Sequence, residues 1–214
     1  MRDDRGPKTL PEETEFLAYA RTGLGPTVDY LLRMERLFDS DTRAFLALTR
    51  GAVDSLLEER ENASRFAQQQ LLARSLIRAS FAHIEGVAYL MREAVLWAHD
   101  RGEIPLLPSE LSLLSEGVRG GKRRFNSFQR NVELAFEYFP KAYGADFALD
   151  TVDPRWESFQ HAIRVRDAIT HPKVASEFGV SGDALRDAQL ALYWFSDNFR
   201  RLLAACSDDA VRRH

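Results

Sequence analysis

The chain has 214 residues, 45% hydrophobic and 29% charged, which predicts a soluble globular protein of one domain. The single cysteine, Cys206, excludes an internal disulfide framework, and no stretch has the pattern of a signal peptide or membrane span. We therefore expect a cytoplasmic protein. A formal net charge of −3 does not demand a polyanionic partner, so any contact with nucleic acid must be local.

The amino-terminal part is polar at first and then follows helical patterns. Residues 1–9 are expected to be a mobile terminus. Proline starts and helical spacing of apolar residues then predict three helices, over about 11–22, 26–38 and 41–60. These helices either form a satellite element or pack directly on the main bundle. Composition does not shift enough to place a domain boundary, so we predict one helical domain over 10–206 and a tail over 207–214.

The longest predicted helix covers about residues 66–99 and has apolar residues over a wide arc, so it should be the centre of the bundle. His83 lies in the middle of the apolar face. It is either a hydrogen-bonded core histidine, the ordinary explanation, or a second site residue. Glu85 is predicted on the opposite face with Arg78 and Arg92. There it either belongs to an exposed ladder of ion pairs or acts beside a functional motif.

A connection and a short helix, predicted from Ser109 to about Gly117, lead to the most basic stretch. Residues 119–130, RGGKRRFNSFQR, contain five cations and no acid, with two phenylalanines between them. Basic groups alternating with aromatic rings can follow a phosphate backbone and stack on bases. The alternative is a solvated loop whose phenylalanines begin the next helix. The candidate RNA-binding residues are Lys122, Arg123, Arg124 and Arg130.

Two further helices enclose the core of the predicted bundle. One covers about 126–140, ends at Pro140 and is followed by a loop to Leu149. The last is capped by Ser181 and repeats apolar residues at spacings of three and four as far as Leu202. No strand pattern of alternating apolar residues occurs, so the predicted fold is an all-α antiparallel bundle.

Between these two helices lies Asp153–Lys173, DPRWESFQHAIRVRDAITHPK, which predicts a helix with charge on its buried side. Asp153 followed by proline is a start signal, and Pro172 ends the helix near His171, which is therefore a terminal, reachable group. Arg166 falls on the stripe that should face the core, and the next residue, an aspartate, borders it. Burying a guanidinium and a carboxylate is costly unless they are paired, so a function is a better explanation than chance.

The segment Arg166-Asp167-Ala168-Ile169-Thr170-His171 resembles the signature of the HEPN superfamily, an arginine, a polar residue, three further positions and a histidine in a compact helical domain. The resemblance covers about residues 66–205 and implies a HEPN-like bundle, here with extra amino-terminal helices. For the ribonuclease members of that superfamily it implies catalysis by Arg166 and His171, in a toxin or defence protein with a neutralising or regulatory partner. Other relatives act as binding or regulatory partners.

The chemistry suits such a pair, because the 2′-hydroxyl of RNA can be the attacking group. Cleavage then needs a base and a cation for the phosphorane charge, and neither a metal nor a cofactor is predicted. His171 would take the proton, Arg166 would hold the phosphate and Asp167 would orient the imidazole. No HExxH, P-loop, dinucleotide or GxSxG motif is present in the sequence.

Two functions from different classes therefore stand, and the sequence leaves open whether the chain is an enzyme. One is a metal-independent endoribonuclease. The other is a non-catalytic helical module that binds a protein or nucleotide partner, in which Arg166 and Asp167 form a structural ion pair and His171 caps the helix end.

The spacing of the motif also predicts a homodimer. Five residues on a straight helix place Arg166 and His171 about 140° apart, so one chain cannot easily direct both at a single phosphate. A kink before Pro172 would bring them together, and so would a two-fold axis that opposes the motifs of two subunits. The HEPN resemblance favours the second arrangement, with both residues of both chains at or near the interface.

Overall fold

A computed structural model describes residues 63–115, 117–119, 122–124 and 126–212, together with seven earlier residues, Leu31, Leu32, Arg33, Glu35, Arg36, Ser40 and Arg43. These seven are helical. The expected mobile terminus and most of the three predicted amino-terminal helices lie outside the described residues. Among the described helices, none combines the length and apolar character that crossing a membrane requires.

The regular elements of the described chain are helices except for one short hairpin, and the predicted all-α class is confirmed. Its elements in chain order are α1 (Ala63–Asp100), α2 (Pro108–Leu114), β1 (Gly117–Arg119), β2 (Lys122–Arg124), α3 (Phe128–Tyr143), α4 (Arg155–Thr170), a 3-10 helix (Ala175–Phe178) and α5 (Gly182–Arg212). Helix α5 therefore continues into the segment that was predicted to be a tail.

The hairpin corrects the expectation that the chain contains no strands. β1 and β2 pair in antiparallel register, with Gly117 opposite Arg124 and Arg119 opposite Lys122. The sequence places two glycines between the strands, the kind of dipeptide that a two-residue hairpin turn favours. Three-residue strands are too short to show an apolar alternation, so periodicity could not predict them.

Local capping chemistry sets most helix starts. The hydroxyl of Ser127 accepts the N–H of Arg130 at 3.2 Å, and that of Ser181 accepts the N–H of Ala184 at 3.1 Å, so the predicted Ser181 cap is confirmed. Helix α2 instead begins with proline at its first position, one residue before the predicted serine start.

Helix α3 passes through Pro140, where the sequence predicted its end. A proline so late in a helix removes one hydrogen bond to the preceding turn, and the remaining bonds carry the helix on to Tyr143. The helix stops there because Gly144 adopts a φ of +65°, which glycine tolerates. The N–H of Ala145 then bonds to the Pro140 carbonyl at 2.9 Å.

The core lies between α1 and the helices that pack on it, α3, α4 and α5. Phe159 of α4 is its aromatic centre, with ring centroids 4.8 Å from Trp194, 5.2 Å from Trp156 and 6.1 Å from Phe128. The predicted apolar face of α5 is buried as expected, over Leu185, Ala188, Leu192, Phe195, Phe199 and Leu202. The single cysteine, Cys206, is fully buried on the same helix.

Helix α1 also buries a cation that the sequence placed on its exposed face. Arg92 is only 3% exposed. Its Nη1 donates to Oδ1 of Asn131 on α3 at 2.6 Å, and its Nη2 donates to the carbonyl of Leu114, at the end of α2, at 3.0 Å. The arginine therefore joins three helices, because the wide arc of α1 contacts neighbours on more than one side.

The described amino-terminal residues pack directly on the bundle. Leu31 is fully buried within the core cluster. The carboxylate of Glu35 lies 3.6 Å from Nε2 of His83 on α1 and 3.6 Å from Nη2 of Arg200 on α5. Of the two arrangements considered for this part of the chain, the described residues favour direct packing.

Candidate functional site

The motif helix α4 begins at Arg155, one residue later than the predicted first helical position at Pro154. The carboxylate of Asp153 accepts the backbone N–H of Arg155 at 2.8 Å and the guanidinium of the same residue at 2.6 Å. The side-chain hydrogen bond from Arg155, followed by the backbone one, lowers the pKa of the Asp153 carboxyl. Arg155 also bonds to Asp197 of α5 at 2.6 Å, which fixes the start of α4 against the last helix.

Arg166 lies where α4 meets α1 and α3. Its Nη1 donates to Asp167 at 2.9 Å, and its Nη2 donates to Glu85 of α1 at 3.2 Å. The Cζ atom lies 5.2 Å from the ring centroid of Phe128, the first residue of α3, at a distance that allows a cation–π contact. Three neighbours therefore fix the direction of the guanidinium.

The charges of the motif are less buried than the sequence predicted. The side chain of Arg166 is 23% exposed and that of Asp167 is 56% exposed. The buried residues of α4 are Phe159, Ala162 and Ile169, and of these only Phe159 belongs to the predicted stripe, so the buried face is rotated relative to the predicted one. Beside Arg166, however, α1 presents a glutamate and not an apolar residue, so the arginine stays at the edge of the core.

The position of Glu85 rules out the predicted ladder of ion pairs along α1. Arg92, two turns further along the helix, is buried and donates to Asn131 and to the carbonyl of Leu114. Arg78 donates its Nη2 to the carbonyl of Ile169 in the last turn of α4. Glu85 contacts the motif arginine, which is the second of the two roles considered for it.

His171 ends α4, as Pro172 predicted. Its backbone N–H bonds to the carbonyl of Asp167 at 2.9 Å, and its φ of −127° and ψ of 57° leave the helical region. The residue is exposed, and its imidazole makes no hydrogen bond or ion pair to any residue that the structure describes. The predicted orienting contact from Asp167 is not formed, because that carboxylate accepts from Arg166.

A row of polar side chains on α1, which we call the clamp and define as Gln70, Arg74 and Arg78, holds the last turn of α4 and the segment after it. Gln70 donates to the carbonyl of Val180 at 2.9 Å and accepts its N–H at 2.8 Å. Arg74 donates to the carbonyl of Phe178 at 3.0 Å. Sequence reasoning missed the clamp, although its spacing of four residues is the signal that would have placed these side chains on one face.

Of the described side chains in the basic stretch, one contacts the motif, and it is a phenylalanine and not a cation. Phe128, predicted to interleave with the basic groups, lies against Arg166 and in the aromatic core. Arg130 pairs with Glu133 at 3.3 Å and lies 3.9 Å from Glu137, so its charge is compensated. Lys122, Arg123 and Arg124 form strand β2, and their side chains lie outside the described part of the structure.

His83 is placed away from the motif. Its side chain is 8% exposed, lies edge-on to Phe195 at 6.3 Å and approaches Glu35. The structure therefore favours a core histidine and does not bring it to Arg166, although Glu85 is only two residues away.

Acidic, histidine and cysteine side chains show no metal-binding arrangement of three or more within the described residues. Comparisons of the chain with protein-family models, with curated proteins and with solved structures found no match.

Proposed function

We propose that the chain is a metal-independent endoribonuclease of the HEPN type, in which His171 and Arg166 act on one phosphodiester. The observation that supports this proposal most is that the guanidinium of Arg166 is held in place and, within the described residues, still has unused N–H donors. Two of its five N–H groups contact Asp167 and Glu85, and the others have no partner among the residues that the structure describes. A guanidinium that is fixed in direction and still partly exposed is prepared to hold a phosphate.

His171 would act as the base. It would take the proton of the 2′-hydroxyl as that oxygen attacks the adjacent phosphorus, while Arg166 would stabilise the charge that develops on the phosphorane oxygens. The bond to the 5′-oxygen of the next nucleotide then breaks, which gives a 2′,3′-cyclic phosphate and a free 5′-hydroxyl. Exposure of the imidazole at the helix end supports this role, because the substrate can reach it.

The proposed site is completed by a second copy of the chain. Arg166 is directed towards α1 and α3, whereas His171 lies at the exposed end of α4, so a two-fold axis would supply the histidine of one subunit to the arginine of the other. Light scattering at micromolar concentration should return about twice the mass of one chain. A strictly monomeric species would contradict this arrangement.

Cleavage of labelled RNA in excess EDTA tests the activity. The wild-type chain should cut and leave cyclic phosphate ends, and His171→Ala should abolish cutting. His161→Ala is the matched control, since His161 is an exposed histidine on the same helix that pairs with Asp187. RNA that stays intact with wild-type protein at high concentration, or cutting that persists in His171→Ala, would overturn the proposal. In the cell we place this activity in the cytoplasm, as a toxin or defence protein with a neutralising partner.

One observation favours a second candidate, a non-catalytic helical module that binds a protein or nucleotide partner. Arg166 contacts two carboxylates, which together outweigh its charge and disfavour a second anion nearby. On this view the arginine joins α1, α3 and α4 and has no substrate. Intact RNA together with a folded dimer would support the module.

A further inference from the structure

The clamp on α1 brings two cations to the end of the motif helix. Arg74 and Arg78 are one helical turn apart, a rise of about 6 Å, on the face that contacts the segment after α4. Arg78 is bonded to the carbonyl of Ile169, two residues before His171. The two arginines therefore lie on α1 near the end of α4 that carries the proposed catalytic histidine.

Neither cation is neutralised by a carboxylate among the described residues. Arg78 is exposed and uses one N–H for the Ile169 carbonyl, and Arg74 uses one for the Phe178 carbonyl. The acid of the following segment, Glu177, accepts instead from the backbone N–H groups of Lys173 and Val174. Within the described part of the chain, both guanidiniums therefore keep unused donors and an uncompensated charge.

An aromatic ring lies beside these cations. Phe178 is 44% exposed, and Cζ of Arg74 lies 6.0 Å from its ring centroid. Cations beside an exposed aromatic ring are typical of surfaces that bind single-stranded nucleic acid, because the cations contact phosphates and the ring stacks on a base.

We propose that Arg74, Arg78 and Phe178 form a second subsite, which binds single-stranded RNA next to the nucleotide that is cleaved. Arg78 and Arg74 contact backbone phosphates, and Phe178 stacks on a base. This inference rests on the proposed function, and it names the class of substrate, an unpaired strand that extends beyond the scissile bond.

The salt dependence of binding tests the phosphate contacts. Each phosphate contact with a single strand contributes about 0.7 to the slope of log affinity against log salt concentration. A fluorescent single-stranded RNA of twelve nucleotides would be titrated with the full chain carrying His171→Ala, so that the probe stays intact. Adding Arg78→Gln should lower the slope by about 0.7, whereas Arg78→Lys should preserve it.

Glutamine can still donate to the Ile169 carbonyl, so Arg78→Gln removes the charge while a hydrogen bond stays possible. Arg101→Gln, one residue beyond the other end of α1, is the control and should leave the slope unchanged, because this arginine pairs with Glu103 away from the subsite. If Arg78→Gln does not fold, Arg74→Gln provides the same test. Phe178→Leu should weaken binding roughly tenfold without a change of slope, because stacking is not ionic.

The outcomes separate this subsite from the proposed function. Cleavage by the wild-type chain with an unchanged slope in Arg78→Gln would overturn the subsite and leave the enzyme. An equal loss of affinity in Arg78→Gln and Arg78→Lys, at constant slope, would show a purely structural role and also overturn it. Binding that depends on Arg78 without any cleavage by the wild-type chain would support the subsite and remove the enzyme. RNA that does not bind at all would remove both.

Discussion

Replacing Arg166 with glutamine should separate its role in the fold from its role at the site. The contacts that it makes are two ion pairs to carboxylates that are more than half exposed and one cation–π contact. Such ion pairs contribute about 0.2–1 kcal/mol each, and a cation–π contact at a partly exposed site about 0.5–1 kcal/mol. Arg166→Gln should therefore lower the free energy of unfolding by no more than about 1–3 kcal/mol.

The same change should cost far more in activity. Removing a group that stabilises charge in the transition state typically slows the chemical step by about 10²–10³-fold. Urea unfolding would measure the stability, and the rate of RNA cleavage in EDTA at saturating protein would measure the activity. Glu85→Gln is the matched control, because it removes the same contact between α1 and α4 but keeps the cation. That variant should lose up to about 1 kcal/mol and still cleave.

Two results would refute this reasoning. A folded Arg166→Gln protein that cleaves within tenfold of the wild-type rate would show that the arginine does not contact the reacting phosphate. If Arg166→Gln lowers the free energy of unfolding by more than about 4 kcal/mol, the guanidinium behaves as a buried charge, as the sequence suggested, and not as a partly exposed one.

Three further predictions concern stability. The folded state lowers the pKa of Asp153, chiefly through the side-chain hydrogen bond from Arg155, so this carboxylate stabilises the fold above its ordinary pKa. Asp153→Asn should therefore destabilise the protein at pH 7, and the difference from wild type should shrink as the pH falls below about 4 towards the lowered pKa of the folded state, in urea unfolding measured at a series of pH values. Gly86→Ala should raise the melting temperature, because Gly86 lies within α1 with open space for a Cβ and alanine favours a helix by about 1 kcal/mol. Gly144→Ala should lower the melting temperature and reduce the free energy of unfolding by about 1 kcal/mol, because φ is +65° at Gly144. Arg92→Met should cost about 2–4 kcal/mol in urea unfolding, because the Leu114 carbonyl and the Asn131 side chain lose their charged donor. A loss below about 1 kcal/mol would contradict this role.

Features that depend on neighbouring residues were predictable from the sequence. The Ser181 cap, the start of α4 shortly after Asp153 and its end before Pro172 all follow from hydrogen bonds or steric restrictions within a few positions. The buried face of α5 follows from its spacing of apolar residues, since that helix packs on the bundle along one side.

Features that depend on which helix packs against a given residue were not predictable from the neighbouring positions in the sequence. Glu85 and Arg92 both looked exposed, because periodicity marks the apolar arc of α1 but not the neighbours at its edges. One of them lies beside α4, and the other is enclosed by α2 and α3. The partial exposure of Arg166 follows from the same cause, since it depends on the glutamate that α1 presents there. Pro140 was misjudged because the cost of a proline within a helix, about 3 kcal/mol, is offset by the burial of Phe139, Ala142 and Tyr143 in the same part of the helix.

The complete burial of Cys206 gives the protein an internal reporter of its own motion. A thiol reacts with a disulfide reagent only when it is exposed and deprotonated, so this side chain reacts only when the carboxyl-terminal part of α5 separates from the bundle. The chain contains no other cysteine, and a single reaction rate therefore reports a single event. Any ligand that binds the folded protein preferentially should slow that rate, so the unmodified chain can be used to screen RNAs or partner proteins without a label.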